Sequence, residues 1–109
     1  MMNFDDREKS YEKKFALDEE LRFKAMARRN KLLGLWAAEK MGLSGDDAQA
    51  YAREVIKADL EEPGEEDVFV KIRTDFDGNG IEQSDHQIRR AMSDFLIEAA
   101  RQIEAEAKA

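Results

Sequence analysis

Across residues 23–41, FKAMARRNKLLGLWAAEKM, apolar side chains recur at helical spacing. Ala25, Leu32, Leu33, Trp36, Ala37 and Met41 fall on neighbouring turns of a 3.6-residue period and form a wide stripe suited to a buried helix. The segment holds the only tryptophan, one glycine and no proline. Upstream the pattern thins: between residues 3 and 20 the large apolar residues are Phe4, Tyr11, Phe15 and Leu17, each set among charges. One long helix is predicted, packed along its C-terminal half and unsupported along its N-terminal half. Asn3 caps its start, Asp5 and Asp6 suit the positive end of the helix dipole, and Glu20–Lys24 and Asp18–Arg22 are i,i+4 pairs. Such pairs add only about 0.2–0.5 kcal/mol each, so residues 1–20 are expected to form a marginal helix that projects as a mobile arm.

The remaining pattern divides into three further helices. Gly42 supplies a left-handed cap after Met41, and Asp46 and Asp47 sit in the first turn of a second helix with Ala48, Tyr51, Ala52, Val55 and Ile56 on one face. Glu62-Pro63-Gly64 stops it, because proline disfavours helical backbone at the preceding residue. A shorter helix from Glu65 carries Val68, Phe69, Ile72 and Phe76. Asp77-Gly78-Asn79-Gly80 is the strongest loop signal, and Ser84-x-x-Gln87 is a capping box. The box opens a last helix striped by Ile88, Met92, Phe95, Leu96, Ala99 and Ile103. No segment alternates as a strand would. The expected architecture is all-α, a four-helix bundle, with an arm over residues 1–20 and a four-helix body over residues 21–109.

Charge sharpens this division. Residues 1–31 carry nine basic and seven acidic side chains, net +2, whereas residues 32–109 carry nine and eighteen, net −9. An acidic body argues against nucleic-acid binding, which needs a basic face to neutralise phosphates. Arg28, Arg29 and Lys31 are read as a solvated helix face. With no cysteine there are no disulfides or thiolate metal sites, and nothing suggests secretion. The N-terminus lacks the apolar core of a signal peptide, and no apolar run reaches transmembrane length, so a cytoplasmic chain is expected.

Two constellations are candidates for chemistry. Asp75, Asp77, Asn79 and Gly80 match ligand positions 1, 3 and 5 and the turn glycine of a calcium-binding EF-hand loop. Position 12, which needs a bidentate Glu, is His86, and position 8 is Glu82 rather than a buried aliphatic residue. A turn between helices is the preferred reading, and Asp75, Asp77 and Asn79 stay only as weak metal candidates. For catalysis, His86 is the only histidine, and the serines, Thr74 and tyrosines sit in no nucleophile motif. No phosphate or dinucleotide fingerprint is present. The chain reads as a non-enzyme without cofactors. A charged, helix-prone arm with spaced aromatic residues is instead what a helix-forming binding element requires.

Several motifs together carry a family resemblance: FDDRE at residues 4–8, KFA at 14–16, FKAMARRNKLLGLWAA at 23–38 and EEPGEEDVF at 61–69. In these the chain resembles the zeta subunit of the α-proteobacterial F-type ATP synthase, from residue 4 to about residue 72 and less closely through the last helix. The resemblance implies a four-helix protein that inhibits ATP hydrolysis by inserting its N-terminal segment into a catalytic interface between alpha and beta subunits. Rotation of the central stalk, the gamma subunit, would then be blocked in the hydrolysis direction. It further implies that the partner-binding residues are Asn3, Phe4, Asp5, Asp6, Arg7, Glu8, Tyr11, Lys14, Phe15 and Ala16. The partner would be the catalytic head of the synthase, met by a protein that is monomeric when free and peripheral to the inner membrane when bound. Leu17 stands where relatives are expected to carry a polar residue. An adaptor for another complex, or a calcium-binding protein using Asp75, Asp77 and Asn79, are the alternatives.

Overall fold

Glycines with left-handed backbone set the ends of two of the helices. The computed structural model describes residues 19–61 and 65–108. They form α1 (Glu19–Lys40), α2 (Gly45–Glu61), α3 (Glu65–Gly78) and α4 (Asp85–Lys108), with no strand among the described residues. The fold is an all-α four-helix bundle, as the apolar periodicity predicts. Gly42, at φ 79°, closes α1 in a Schellman motif: Leu43 N–H donates to the Ala38 carbonyl at 2.9 Å and Gly42 N–H to that of Glu39 at 3.1 Å. At α4 the capping box forms as expected. Ser84 N–H donates to Gln87 Oε1 at 2.9 Å, and Gln87 N–H donates to Ser84 Oγ at 3.1 Å.

The bundle is organised around α1, which lies between α2 and α4 and packs extensively along both, while α3 closes the remaining side. The side toward α2 is lined with small residues. A Cβ built on Gly34 would stand 2.6 Å from Ala52 Cα and 3.3 Å from Val55 Cγ2, so the two backbones approach as closely as a glycine allows. Toward α4 and α3 the contacts are bulkier. Leu33, Val55, Val68, Ile72, Phe76 and Ile88 are fully buried in the main cluster, and Ala25, Ala100 and Ile103 form a second one near the start of α1.

Two expectations change here. Trp36 is only partly buried. It lies at the rim of the core, tilted against Phe76 of α3 (ring centroids 5.7 Å apart) and Phe95 of α4 (6.4 Å), so it bridges two helices instead of being enclosed by the stripe of α1. Arg29 is not on a solvated face: it is fully buried, and its neighbour Asn30 is 1% exposed. Both fall where α1 turns toward its packed neighbours, and the sequence pattern of charges around them hides that.

Candidate functional site

The residues implied as partner-binding, Asn3, Phe4, Asp5, Asp6, Arg7, Glu8, Tyr11, Lys14, Phe15 and Ala16, lie outside the described residues, as does Leu17. What the structure gives is the root from which that segment issues, the first turns of α1. Here Glu20 and Lys24 pair at 3.2 Å, the expected i,i+4 contact. Glu19 and Glu20 favour the positive end of the helix dipole.

The root is fastened on two sides. Toward α4, the Arg28 guanidinium donates to both carboxylate oxygens of Glu106 (2.8 and 3.0 Å) and to Gln102 Oε1 (2.6 Å). A fork matched to a carboxylate is the stronger geometry for such a pair. The bond to Glu106 raises the Arg28 pKa, and the same bond holds the Glu106 carboxyl below the ordinary carboxylate range. Beneath this pair Ala25 packs against Ala100 and Ile103. Toward α2, Arg29 Nε donates to Asn30 Oδ1 (2.7 Å), and Asn30 Nδ2 donates to Asp59 Oδ2 (3.0 Å). The Asn30–Asp59 bond is a directional constraint on how α1 sits against α2, and the Arg29 bond within α1 orients the Asn30 amide that makes it, since a buried polar group left unmatched costs about 1–3 kcal/mol. Asn30 and Asp59 were missed by sequence reasoning. The signal available was the 4-3-4-3 spacing of positions 23, 27, 30, 34 and 37, a second seam beside the apolar stripe.

The weak metal candidates are placed differently. Asp75 and Asp77 lie inside α3, not in a loop, and only Asn79 and Gly80 form the turn. Gly80, at φ 66°, is the left-handed residue of a second Schellman motif in which Ile81 N–H donates to the Phe76 carbonyl at 2.9 Å. The glycine that would bend an EF-hand loop thus ends a helix. Asp75 accepts from Tyr51 Oη (2.7 Å) and Lys71 Nζ (3.0 Å), whereas Asp77 and Asp85 are both held by Arg73 (2.7 and 3.0 Å). Burial, then the bond to Asp75, pushes the Tyr51 hydroxyl pKa up. Asn79 Nδ2 folds back on the Asp75 carbonyl at 2.7 Å. The carboxylates of Asp75 and Asp77 thus serve cations and a hydroxyl of the protein, and no group of three or more acidic or imidazole side chains converges among the described residues. His86 is exposed in the first turn of α4. A cleft of about 220 Å³ lies beside Tyr51, lined also by Met41, Leu43, Glu54, Lys71, Asp75 and Asn79, and the hydroxyl in it is the one bonded to Asp75.

With that geometry in place, the comparisons decide between an adaptor of unknown kind and a known family. The model of the family described as ATPase inhibitor subunit zeta matches residues 1–102. The chain belongs to that family. The match takes in the N-terminal segment, all of α1 through α3 and α4 as far as Gln102. Four chains of solved structures also match. One, solved by NMR in solution, is 48% identical and covers 79% of this chain and 98% of its own, with a TM-score of 0.70. No curated protein matches. Zeta-family membership makes this chain a regulatory, inhibitor-type protein. No described helix is long and apolar enough to cross a membrane.

Proposed function

We propose that the chain inhibits ATP hydrolysis by an F-type ATP synthase, with residues 3–16 entering a catalytic interface between alpha and beta subunits of its head. The observation that carries this reading is the family match beginning at residue 1, which spans the segment bearing FDDRE and KFA. The fastened root supports it. An inserted segment stalls a rotary machine only if the part outside resists being drawn along, and α1 is held by α2 on one side and α4 on the other. Phe4, Tyr11 and Phe15 supply buried anchors and the alternating charges pair along the walls. Ordering such a segment on binding costs about 2–5 kcal/mol, so the receiving site must be a deep and specific cleft.

The block is directional: the segment favours one conformation of the interface, and it acts only through that preference. Turning of the gamma subunit in the synthesis direction opens the interface and releases it. The free protein is a monomer and, when bound, stays peripheral to the inner membrane. The test is an ATP hydrolysis assay on purified ATP synthase with full-length protein and with a variant lacking residues 1–20. Full-length protein suppresses hydrolysis and spares synthesis, and the truncated variant leaves both unchanged with its melting temperature moved by only a few degrees. Equal inhibition by the two proteins places the active surface in the bundle, and collapse of the bundle on truncation makes the segment structural.

A further inference from the structure

The turn between α3 and α4 sets an asparagine directly before a glycine, Asn79-Gly80, and both residues are exposed. The backbone nitrogen that follows an asparagine is a nucleophile within reach of the side-chain carbonyl carbon, Cγ. Attack closes a five-membered succinimide and expels ammonia, and water then opens the ring to aspartate or to isoaspartate. A side chain on the following residue hinders the attack, and glycine has none. A Cβ built on Gly80 meets nothing within 4 Å, so the space beside the attacking nitrogen is open. The other two asparagines are poorer substrates: Asn3 precedes Phe4, and Asn30 precedes Lys31 and is 1% exposed. Asp77-Gly78 would close the same ring only by losing water from a carboxyl group, and the Asp77 carboxylate is bonded to Arg73 at 2.7 Å.

In the folded chain the two reacting groups are engaged elsewhere. Asn79 Nδ2 donates to the Asp75 carbonyl at 2.7 Å and to Met41 Sδ at 3.4 Å. The side-chain amide is thus drawn back along α3, whereas the Gly80 nitrogen lies ahead of it. The Gly80 N–H is itself donated to the Asp77 carbonyl at 3.3 Å. We infer that Asn79 is a deamidation site held shut by the fold: the succinimide forms when the last turn of α3 opens, and the product then keeps that turn loosened. Aspartate has no N–H to give, so the bonds to the Asp75 carbonyl and the Met41 sulfur are both lost, and a carboxylate replaces them at the negative end of the helix dipole. Isoaspartate adds a methylene to the main chain inside the Schellman motif, whose bond from Ile81 N–H to the Phe76 carbonyl then loses its register. Ile81 packs against the main core cluster, so the loosened turn gives up an apolar contact as well. Because ammonia has left, reclosing the helix does not restore the amide, and a brief opening is written permanently into the chain.

The test incubates the full-length chain at mildly alkaline pH, folded and in concentrated urea, and follows the tryptic peptide of residues 74–89 by mass spectrometry. Fragmentation places the exchange of NH2 for OH at residue 79, and chromatography separates the aspartate and isoaspartate forms. In urea the exchange proceeds at Asn79 ahead of Asn3 and Asn30, and in the folded protein it is about tenfold slower, because the held turn must open first. Both rates rise with pH, since the attacking nitrogen must lose its proton. Asn79→Gln, whose ring would have six members, shows no exchange at residue 79. Protein aged in the folded state, and Asn79→Asp made directly, both melt a few degrees below wild type. Equal rates in the folded protein and in urea overturn the inference, because the fold then does not hold the site shut. Absence of exchange at residue 79 in either condition overturns it too, as does a wild-type melting temperature in both the aged protein and Asn79→Asp.

Discussion

Replacing Gly34 with alanine tests how closely α1 and α2 approach. In an ordinary helix interior the change stabilises by about 0.5–1 kcal/mol, because glycine loses more backbone freedom on folding. Here the new methyl would lie 2.6 Å from Ala52 Cα and 3.1 Å from Ala52 Cβ. A Cα belongs to a helix backbone and cannot rotate aside, so the two helices must separate by about 1 Å to reach van der Waals distance. Overpacking of this kind costs about 1–3 kcal/mol, and separation also stretches the Asn30–Asp59 bond one turn away. The cost exceeds the propensity gain, leaving a net loss of about 1–2 kcal/mol, or a fall in melting temperature of roughly 4–10 °C for a chain of this size. Thermal melts followed by circular dichroism read this directly. Gly78→Ala serves as the comparison, since Gly78 is the last residue of α3 and a Cβ there meets nothing within 4 Å; it melts within a degree or two of wild type. Adding Ala52→Gly to Gly34→Ala restores only part of the loss, because the nearest obstacle is a Cα. A Gly34→Ala protein as stable as wild type would refute the close approach.

Three further outcomes follow from the geometry. Trp36→Ala lowers stability by about 2–3 kcal/mol in urea unfolding, less than the roughly 3–5 kcal/mol of a fully buried aromatic residue, because the indole sits at the core's rim; a loss under 1 kcal/mol would remove it from the Phe76–Phe95 contact. The Glu98 carboxyl, held by bonds from Arg101 and Gln102, titrates near 2 instead of its ordinary 4.5, so its contribution to stability is complete above pH 4.5 and fades as pH falls toward 2. Carboxyl NMR titration checks this, and Arg101→Gln returns the midpoint toward the ordinary range. Calcium at millimolar concentration leaves the melting temperature unchanged, because Lys71, Tyr51 and Arg73 already occupy Asp75, Asp77 and Asp85; a calcium-dependent rise would mean that those pairs open to admit the ion.

The helices of the body were legible because each buries one stripe: Tyr51, Ala52 and Val55 in α2, Val68, Ile72 and Phe76 in α3, and Ile88, Met92, Ala99 and Ile103 in α4 are all buried. α1 was read less fully. It buries two sides, and the apolar stripe through Leu33 and Ala37 hid a second seam through Asn30 and Gly34, whose members are polar or small. Arg29 escaped for a related reason: a cation between Arg28 and Lys31 reads as surface, and only its place in the bundle shows otherwise. Asp77-Gly78-Asn79-Gly80 was read as a loop two residues too early, because Asp and Gly weaken a helix without preventing its last turn from closing. For residues 1–18 the legible signal was the family motifs FDDRE and KFA, which lie within the match over residues 1–102.

The fork from Arg28 to Glu106 has a mechanical consequence. Two helices bonded side by side bend as one thick beam, whereas a single helix bends as a thin one. The beam formed by α1 and α4 gets its lateral stiffness near Glu19 from Ile103 and Glu106, both beyond residue 102, where the family match ends. In a chain cut after Gln102, the point of flexure moves inward along α1 toward Ala25 and Arg28, which keep Ala100 and Gln102 as neighbours. Because the outermost brace is an exposed ion pair, dissolved salt softens it, and the compliance of this beam varies with ionic strength.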